Sequence, residues 1–243
     1  QIEINNMDDQ YTEFIRMQRE RMPLVDIAIV AVISGDGLYE VFKSLGTTII
    51  VPGGQTMNPS VRQLVQAVES APSDNIILLP NNKNIILTAS QVGALTSKKV
   101  EVIPSKTVPQ GVAALFAFNY EASLEKNAQF MEENIAGVRS LEITKAVRNT
   151  QLDGLKIKKG QFIAILDDEK LLANGSNASN VIFDAFKKMD IEEVEVITIY
   201  YGAEAQIAEA EEIAQEVKDK YPPVQVETVR GGQPYYSYII SLE

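Results

Sequence analysis

Two polar strings concentrate side chains that could do chemistry: Gly53-Gly54-Gln55-Thr56-Met57-Asn58-Pro59-Ser60, and Pro80-Asn81-Asn82-Lys83-Asn84. Each follows an apolar run typical of a buried parallel strand, so each should leave the carboxyl end of a strand, where α/β folds build recognition surfaces. Glycines let backbone amides approach a ligand, and a helix starting beyond them offers free N–H groups and a positive dipole end. Carboxamides and one ammonium add directional donors. Contact with an anion or a polar partner is the chemistry such a set supports, although the same residues also build ordinary turns and helix caps. Gly53, Gly54, Gln55, Thr56, Asn58, Asn81, Asn82, Lys83 and Asn84 are therefore the candidate partner- or ligand-binding residues. No catalytic or metal-ligating residue is assigned.

Composition removes whole classes of chemistry. The 243 residues contain no His, Cys or Trp, which excludes a thiol nucleophile, a Ser-His-Asp triad, a Cys/His zinc site and histidine acid–base work. A formal charge of −11 with scattered Lys and Arg argues against nucleic acid as a partner. No apolar run approaches the roughly 20 residues that span a bilayer, and absence of cysteine fits the cytoplasm. The chain begins at Gln1 and is expected to be a piece of a longer protein. The glycine string is not a phosphate-binding loop of the Gly-Lys-Ser/Thr kind, and no GxGxxG occurs, so autonomous nucleotide binding is not supported.

Other features read more plainly. Asp36 in Ser34-Gly35-Asp36-Gly37 could contact a metal or ribose but reads first as a tight turn, and Asp167 and Asp168 are expected in a solvated hairpin turn. Glu204, Glu209, Glu211, Glu212, Glu216 and Asp219 should line the exposed face of a helix whose apolar stripe is Ile207, Ala210, Ile213, Ala214, Val217 and Tyr221. Tyr236 and Tyr238 should share one strand face with Ile240, and Tyr235 the other with Ile239. Gly53-Gly54-Gln55 recurs as Gly231-Gly232-Gln233, a short internal echo.

The elements that must position these residues follow from periodicity. Residues 8–22 read as a polar helix with Tyr11, Ile15 and Met22 on one stripe, a linker from an upstream domain without a core of its own. Four strand–helix alternations follow: strands near 27–34, 47–51, 76–79 and 99–103, and helices near 38–45, 61–68, 85–95 and 112–118. Asn58 is expected to cap the second helix with Pro59 at its first position. This pattern predicts a parallel sheet with helices on both faces, a first lobe over 23–120. A helix over 123–139 should join it to a mixed α/β second lobe, the two together filling 121–243, with strands at 143–148, 161–166, 170–172, 194–200, 224–229 and 236–240 and helices at 181–189 and 203–220.

The strings GGQTMNPS, LLPNNKNI, TVPQGVAALFAFN, ITIYYG and GGQPYYSYIISLE together resemble the C-terminal region of the ATP-binding subunit of fatty acid kinase, in the dihydroxyacetone-kinase-like family, along the whole chain. The resemblance implies a parent with an upstream kinase domain and a metal-associated middle domain, phosphorylating a fatty acid presented by a separate fatty-acid-binding carrier protein for phospholipid synthesis. ATP and metal would belong to those upstream domains, with no cofactor in this segment and no phosphoryl transfer by it alone. It further implies a cytoplasmic, non-catalytic module whose partners are the carrier and the upstream kinase domain, with homodimerisation through the parent. The order of elements also resembles the two-lobed DegV-type (EDD) fold of fatty-acid-binding proteins. In that family the loops after the second and third strands carry Thr and Ser that hold the lipid carboxylate, with Arg and His from elsewhere. The matching loops here are GGQTMNPS and PNNKN, and no His is present to complete that set. Three functions follow as expectations: docking of the loaded carrier at a rim of Gln55, Thr56, Asn58, Asn81, Asn82 and Lys83; direct binding of an acyl carboxylate or phosphate; or a structural or dimerisation role.

Overall fold

The computed structural model describes residues 24–243 except 54–57, together with Glu13–Ile15 and Met17. The chain divides into two compact units, one comprising residues up to Ile33, Val41–Lys106 and Gly111–Ile135, the other Ser34–Glu40, Thr107–Gln110 and Ala136–Glu243.

In the first unit, strands β1 (Ala28–Ile33), β2 (Ile49–Pro52), β3 (Asn75–Leu79) and β4 (Lys99–Val102) form an all-parallel sheet in the order β2-β1-β3-β4. Val30, Val32, Ile49, Val51, Ile76 and Leu78 pack on one face against Leu64, Val68 and Ile85. Ile29, Ala31, Ile77 and Leu79 on the other face are buried as well, which is why these strands read as continuous apolar runs. The helices that follow these strands are α1 (Asp36–Ser44), α2 (Val61–Ser70), α3 (Lys83–Ala89), α4 (Val108–Phe116) and α5 (Leu124–Ile135), with a 3-10 turn at Val92–Leu95; the first residues of α1, up to Glu40, and of α4, up to Gln110, are counted with the second unit.

Three expectations shift. The helix expected from 85 to 95 breaks after Ala89 into that 3-10 turn. Helix α5 ends at Ile135, short of the expected 139, and lies in the first unit: it packs on β3 and β4, and Asn134 Nδ2 donates to the Ala113 carbonyl at 2.7 Å. In the stretch expected to be a linker helix, Tyr11 and Met22 lie outside the described residues, but Ile15 is buried in the first unit's own core.

The second unit is built on the strands β5 (Arg139–Lys145), β8 (Phe162–Leu166), β9 (Lys170–Gly175), β10 (Val196–Tyr201), β11 (Gln225–Arg230) and β12 (Tyr236–Leu242). They form a six-stranded mixed sheet in the order β11-β10-β12-β5-β8-β9, covered on one face by α6 (Ala178–Phe186) and α7 (Ile207–Lys220). Leu141, Ile143, Ala164, Ile197, Ile199, Tyr238 and Ile240 meet Ile182, Phe186, Ile213 and Val217 in its core. Strand β5 starts four residues before the expected Ile143, because Leu141 and Ile143 face the core while Ser140 and Glu142 are buried on the opposite side. A two-stranded hairpin, β6 (Thr150–Leu152) and β7 (Leu155–Ile157), was absent from the periodicity; its signal is Asp153-Gly154, whose φ values of 50° and 79° make the turn that closes a two-residue hairpin. Ile207, expected on the apolar stripe of α7, is 53% exposed.

Candidate functional site

Both polar strings take hold of the end of β1. Strands β2 and β3 flank it, so the two strings leave on either side of its carboxyl terminus, roughly 10 Å apart at the usual strand spacing. The Gly53 N–H donates to the Ile33 carbonyl at 3.1 Å, and Asn81 Nδ2 donates to the Val32 carbonyl at 3.2 Å. Between β1 and β3 the order of connection reverses, which in open parallel sheets leaves a ligand crevice.

Here the Asn81 side chain fills that crevice. It is 6% exposed and its backbone is left-handed, with φ of 53°. Its N–H donates to Ser105 Oγ at 3.0 Å, and Ser105 Oγ donates back to Asn81 Oδ1 at 2.8 Å. Ser105, just beyond β4, is itself fully buried. A Cβ at Gly111 in α4 would overlap Asn81 Oδ1, so Gly111 is what lets the helix approach this side chain. Asn81 thereby ties together the ends of β1, β3 and β4 beneath α4. The next residue, Asn82, is 7% exposed and caps α3 by accepting the Asn84 N–H at 2.8 Å.

What remains on the surface is narrower than the full set of candidate residues. Asn58, Lys83 and Asn84 are exposed and Gly53 is buried; Gly54, Gln55 and Thr56 lie outside the described residues. Asn58 is not the helix cap. Ser60 holds that position in a capping box, accepting the Gln63 N–H at 3.3 Å while its own N–H donates to Gln63 Oε1 at 2.9 Å. Those two donors are thus spent internally, which weakens the anion site expected at this helix start. Ser105 and Gly111 are the residues that sequence reasoning passed over; their place just after the fourth strand, on the same sheet edge, was the available signal.

In the second unit the Ser34–Gly37 turn and the Arg230–Gln233 turn interlock. The Leu38 N–H donates to the Gly231 carbonyl at 2.8 Å, and Asp36 Oδ2 meets Arg230 Nη1 at 2.7 Å. That guanidinium holds the Asp36 carboxyl below the usual carboxylate range. Cβ atoms at Gly37 and Gly232 would overlap the Arg230 carbonyl and Asp36 Oδ1 respectively. Asp36 therefore starts α1 and pins a turn. Asp167, expected to be merely solvated, is half-buried and accepts the Ser140 N–H at 2.7 Å. A bulge between Tyr236 and Tyr238 breaks the expected alternation, so Tyr238 joins the core with Ile240 and Tyr236 does not. The echo strings share a setting: Gly53 follows β2 and Gly231 follows β11, each an edge strand parallel to the strand one helix earlier.

The architecture is that of the DegV fold. A DegV family protein from Corynebacterium glutamicum superposes with a TM-score of 0.65 at 13% identity, covering 90% of this chain and 96% of that one. The Streptococcus pneumoniae fatty acid kinase (Fak) B3 protein loaded with linoleic acid gives 0.64 at 13% identity, over 90% and 99%. Dihydroxyacetone kinase from C. freundii, in complex with AMP-PNP and Mg2+, gives 0.62 at 14% identity over 100% of this chain and 57% of that one. Sequence narrows the class. The pattern of the FakA-like family, the C-terminal part of the A-like component of fatty acid kinase, matches residues 28–243, and the chain belongs to that family. An uncharacterized protein of Staphylococcus aureus (strain USA300) is 36% identical over 246 residues, which take in 100% of this chain and 45% of that protein. The chain thus spans about half the length of the curated relatives it matches. Among the described residues no helix is long and apolar enough to cross a membrane.

Proposed function

We propose that this chain is the non-catalytic docking module of a cytoplasmic fatty acid kinase, seating a fatty-acid-loaded carrier protein so that a kinase domain elsewhere in the parent can form the acyl phosphate, with ATP and metal bound there. The observation that carries this reading is the state of the switch-point crevice. In a lipid receptor of this fold, polar loop residues at the strand ends would be turned toward a ligand. Here Asn81 and Asn82 are turned inward and satisfied, which supports a rim whose buried asparagines serve the protein and leave the exposed groups for a partner. Lys83, Asn84 and Asn58 stand exposed on that rim, and a pre-ordered polar surface suits protein docking better than enclosure of an acyl chain.

The test is calorimetric titration of the chain with a lipid-loaded carrier protein, beside a titration with free fatty acid, for wild type and the triple variant Asn58→Ala, Lys83→Ala, Asn84→Ala. Docking predicts carrier binding that the triple variant weakens about tenfold or more while its melting temperature is kept. Binding of free fatty acid without carrier would make the chain a lipid receptor, and silence in both titrations would leave a structural or dimerisation role.

A further inference from the structure

The second unit carries a basic arm on an acidic protein. Between Lys145 and Lys159 stand five cations (Lys145, Arg148, Lys156, Lys158 and Lys159) and one acid, Asp153, in a chain whose net charge is −11. This is the β6–β7 hairpin with its two stems. It is firmly rooted: Ile157 is buried against Ala146 and Leu171, Asp153 Oδ2 accepts the Leu171 N–H at 3.0 Å, and the Lys159 N–H donates to Asn149 Oδ1 at 2.7 Å. Arg148, Lys156, Lys158 and Lys159 are all exposed. Among the described residues none of the four forms an ion pair. Among the described residues no strand lies on the outer edge of β6, and all three of its residues are exposed.

At the root of the arm lies a cleft of about 270 Å³, lined among others by Lys145, Val147, Glu204, Gln233, Tyr235 and Tyr236, in which Lys145 already faces Glu204 at 3.9 Å, leaving the other cations to the arm beyond it. Val147 is 82% exposed and Tyr235 63%. Tyr235 is held in the left-handed region, φ 70°, by a tight turn in which the Tyr236 N–H donates to the Pro234 carbonyl at 2.8 Å. Its carbonyl accepts Thr144 Oγ1 at 2.6 Å. A bulky residue held at positive φ is strained, and such strain persists where the surroundings fix a side chain in one place. The strain here presents an aromatic ring to solvent beside an exposed Val and the Lys145–Glu204 pair, at the root of the arm that carries the other cations.

We infer that the arm and the cleft at its root form a docking surface for an extended acidic segment of a partner protein, with an apolar anchor residue seated against Tyr235 and Val147 and carboxylates set along Arg148, Lys156 and Lys158. Charge complementarity selects the anion, and the free β6 edge offers main-chain pairing to an extended strand. A discrete segment is favoured over a nucleic acid or a lipid surface because the cations are confined to one short arm of a chain whose net charge is −11, with Glu204 already standing at its root, and a long polyanion would be repelled beyond it. The surface lies in the second unit and involves none of the rim residues, so it stands or falls apart from carrier docking at the rim.

The test is fluorescence anisotropy of the full chain with a short labelled peptide that alternates Glu and Val around a central Leu, run beside phosphatidylserine vesicles and a single-stranded oligonucleotide. The expected result is saturable peptide binding that weakens about tenfold in Lys156→Glu, Lys158→Glu, weakens separately in Tyr235→Ala, and falls between about 50 and about 300 mM salt. Both variants should keep the wild-type melt; Lys156→Gln, Lys158→Gln replaces the first if it does not. The inference is overturned by absent peptide binding, by binding indifferent to both variants, or by charge-dependent binding confined to vesicles or oligonucleotide.

Discussion

If the Asn81 side chain closes the crevice between β1 and β3, its removal should cost the first unit a definite amount. Substitution by Gly keeps the left-handed backbone but deletes the bonds to Val32 O and Ser105 Oγ, leaving buried groups unpaired at about 1–1.5 kcal/mol each, or about 2–3 kcal/mol together. Substitution by Ala adds a Cβ at φ 53°, a further cost of about 1 kcal/mol. The expected order in urea melts is therefore wild type, then Asn81→Gly, then Asn81→Ala. Gly111 supplies the internal control. In a helix, Gly→Ala normally stabilises by about 0.5–1 kcal/mol, yet at Gly111 the new methyl overlaps Asn81 Oδ1, so Gly111→Ala should destabilise the wild type. In the Asn81→Gly background that overlap is gone, and Gly111→Ala should become neutral or stabilising, a coupling that a double-mutant cycle reads directly. Stability losses below about 1 kcal/mol for Asn81→Ala, or a Gly111→Ala effect that is the same in both backgrounds, would refute the account.

Further outcomes follow from the same geometry. Gly232→Ala places a Cβ against Asp36 Oδ1 on a backbone of φ 65° and should lower stability by about 1–2 kcal/mol in chemical melts, chiefly from the left-handed backbone. Asp36 is held below its ordinary carboxylate range by Arg230, so its contribution is complete above the unfolded value of about 3.9 and disappears as pH falls through the lower folded value; Asp36→Asn should lower stability by the same amount throughout pH ~6 to ~8 and remove that segment of the acid unfolding curve, the two proteins converging at low pH. Ser60→Ala deletes the capping box of α2 and should cost about 1 kcal/mol in thermal melts. Lys83→Ala, at an exposed helix start, should stay within about 0.5 kcal/mol of wild type while carrier affinity drops in titration.

Much of the fold was legible because burial writes itself into composition. The run of β1 is apolar at every position, and that of β3 at every position after Asn75, because both faces are covered, and four strand runs alternating with 3.6-residue periodicity leave little choice of architecture. Strand β5 was harder to see because its outward face carries Glu142 and Ser140, buried polar residues that mimic a surface. The β6–β7 hairpin hides behind its lysines; only Asp153-Gly154 betrays it.

The candidate site divides along the same line. Sequence alone placed the two polar strings on the same rim of the sheet, since parallel pairing puts every strand–helix loop on one side; that they flank β1 was decided by the strand order of the folded sheet. It also determined which residue types could act there. Tertiary structure decided which of them face solvent: Asn81 is turned inward because Val32, Ser105 and Gly111, distant in sequence, supply its two hydrogen-bond partners and the room for its side chain. Likewise the Asp36–Arg230 pair joins residues 194 positions apart. A residue's local neighbours fix its backbone tendency, but whether its polar atoms are spent on the protein or left for a partner depends on groups that only the folded chain brings within about 3 Å.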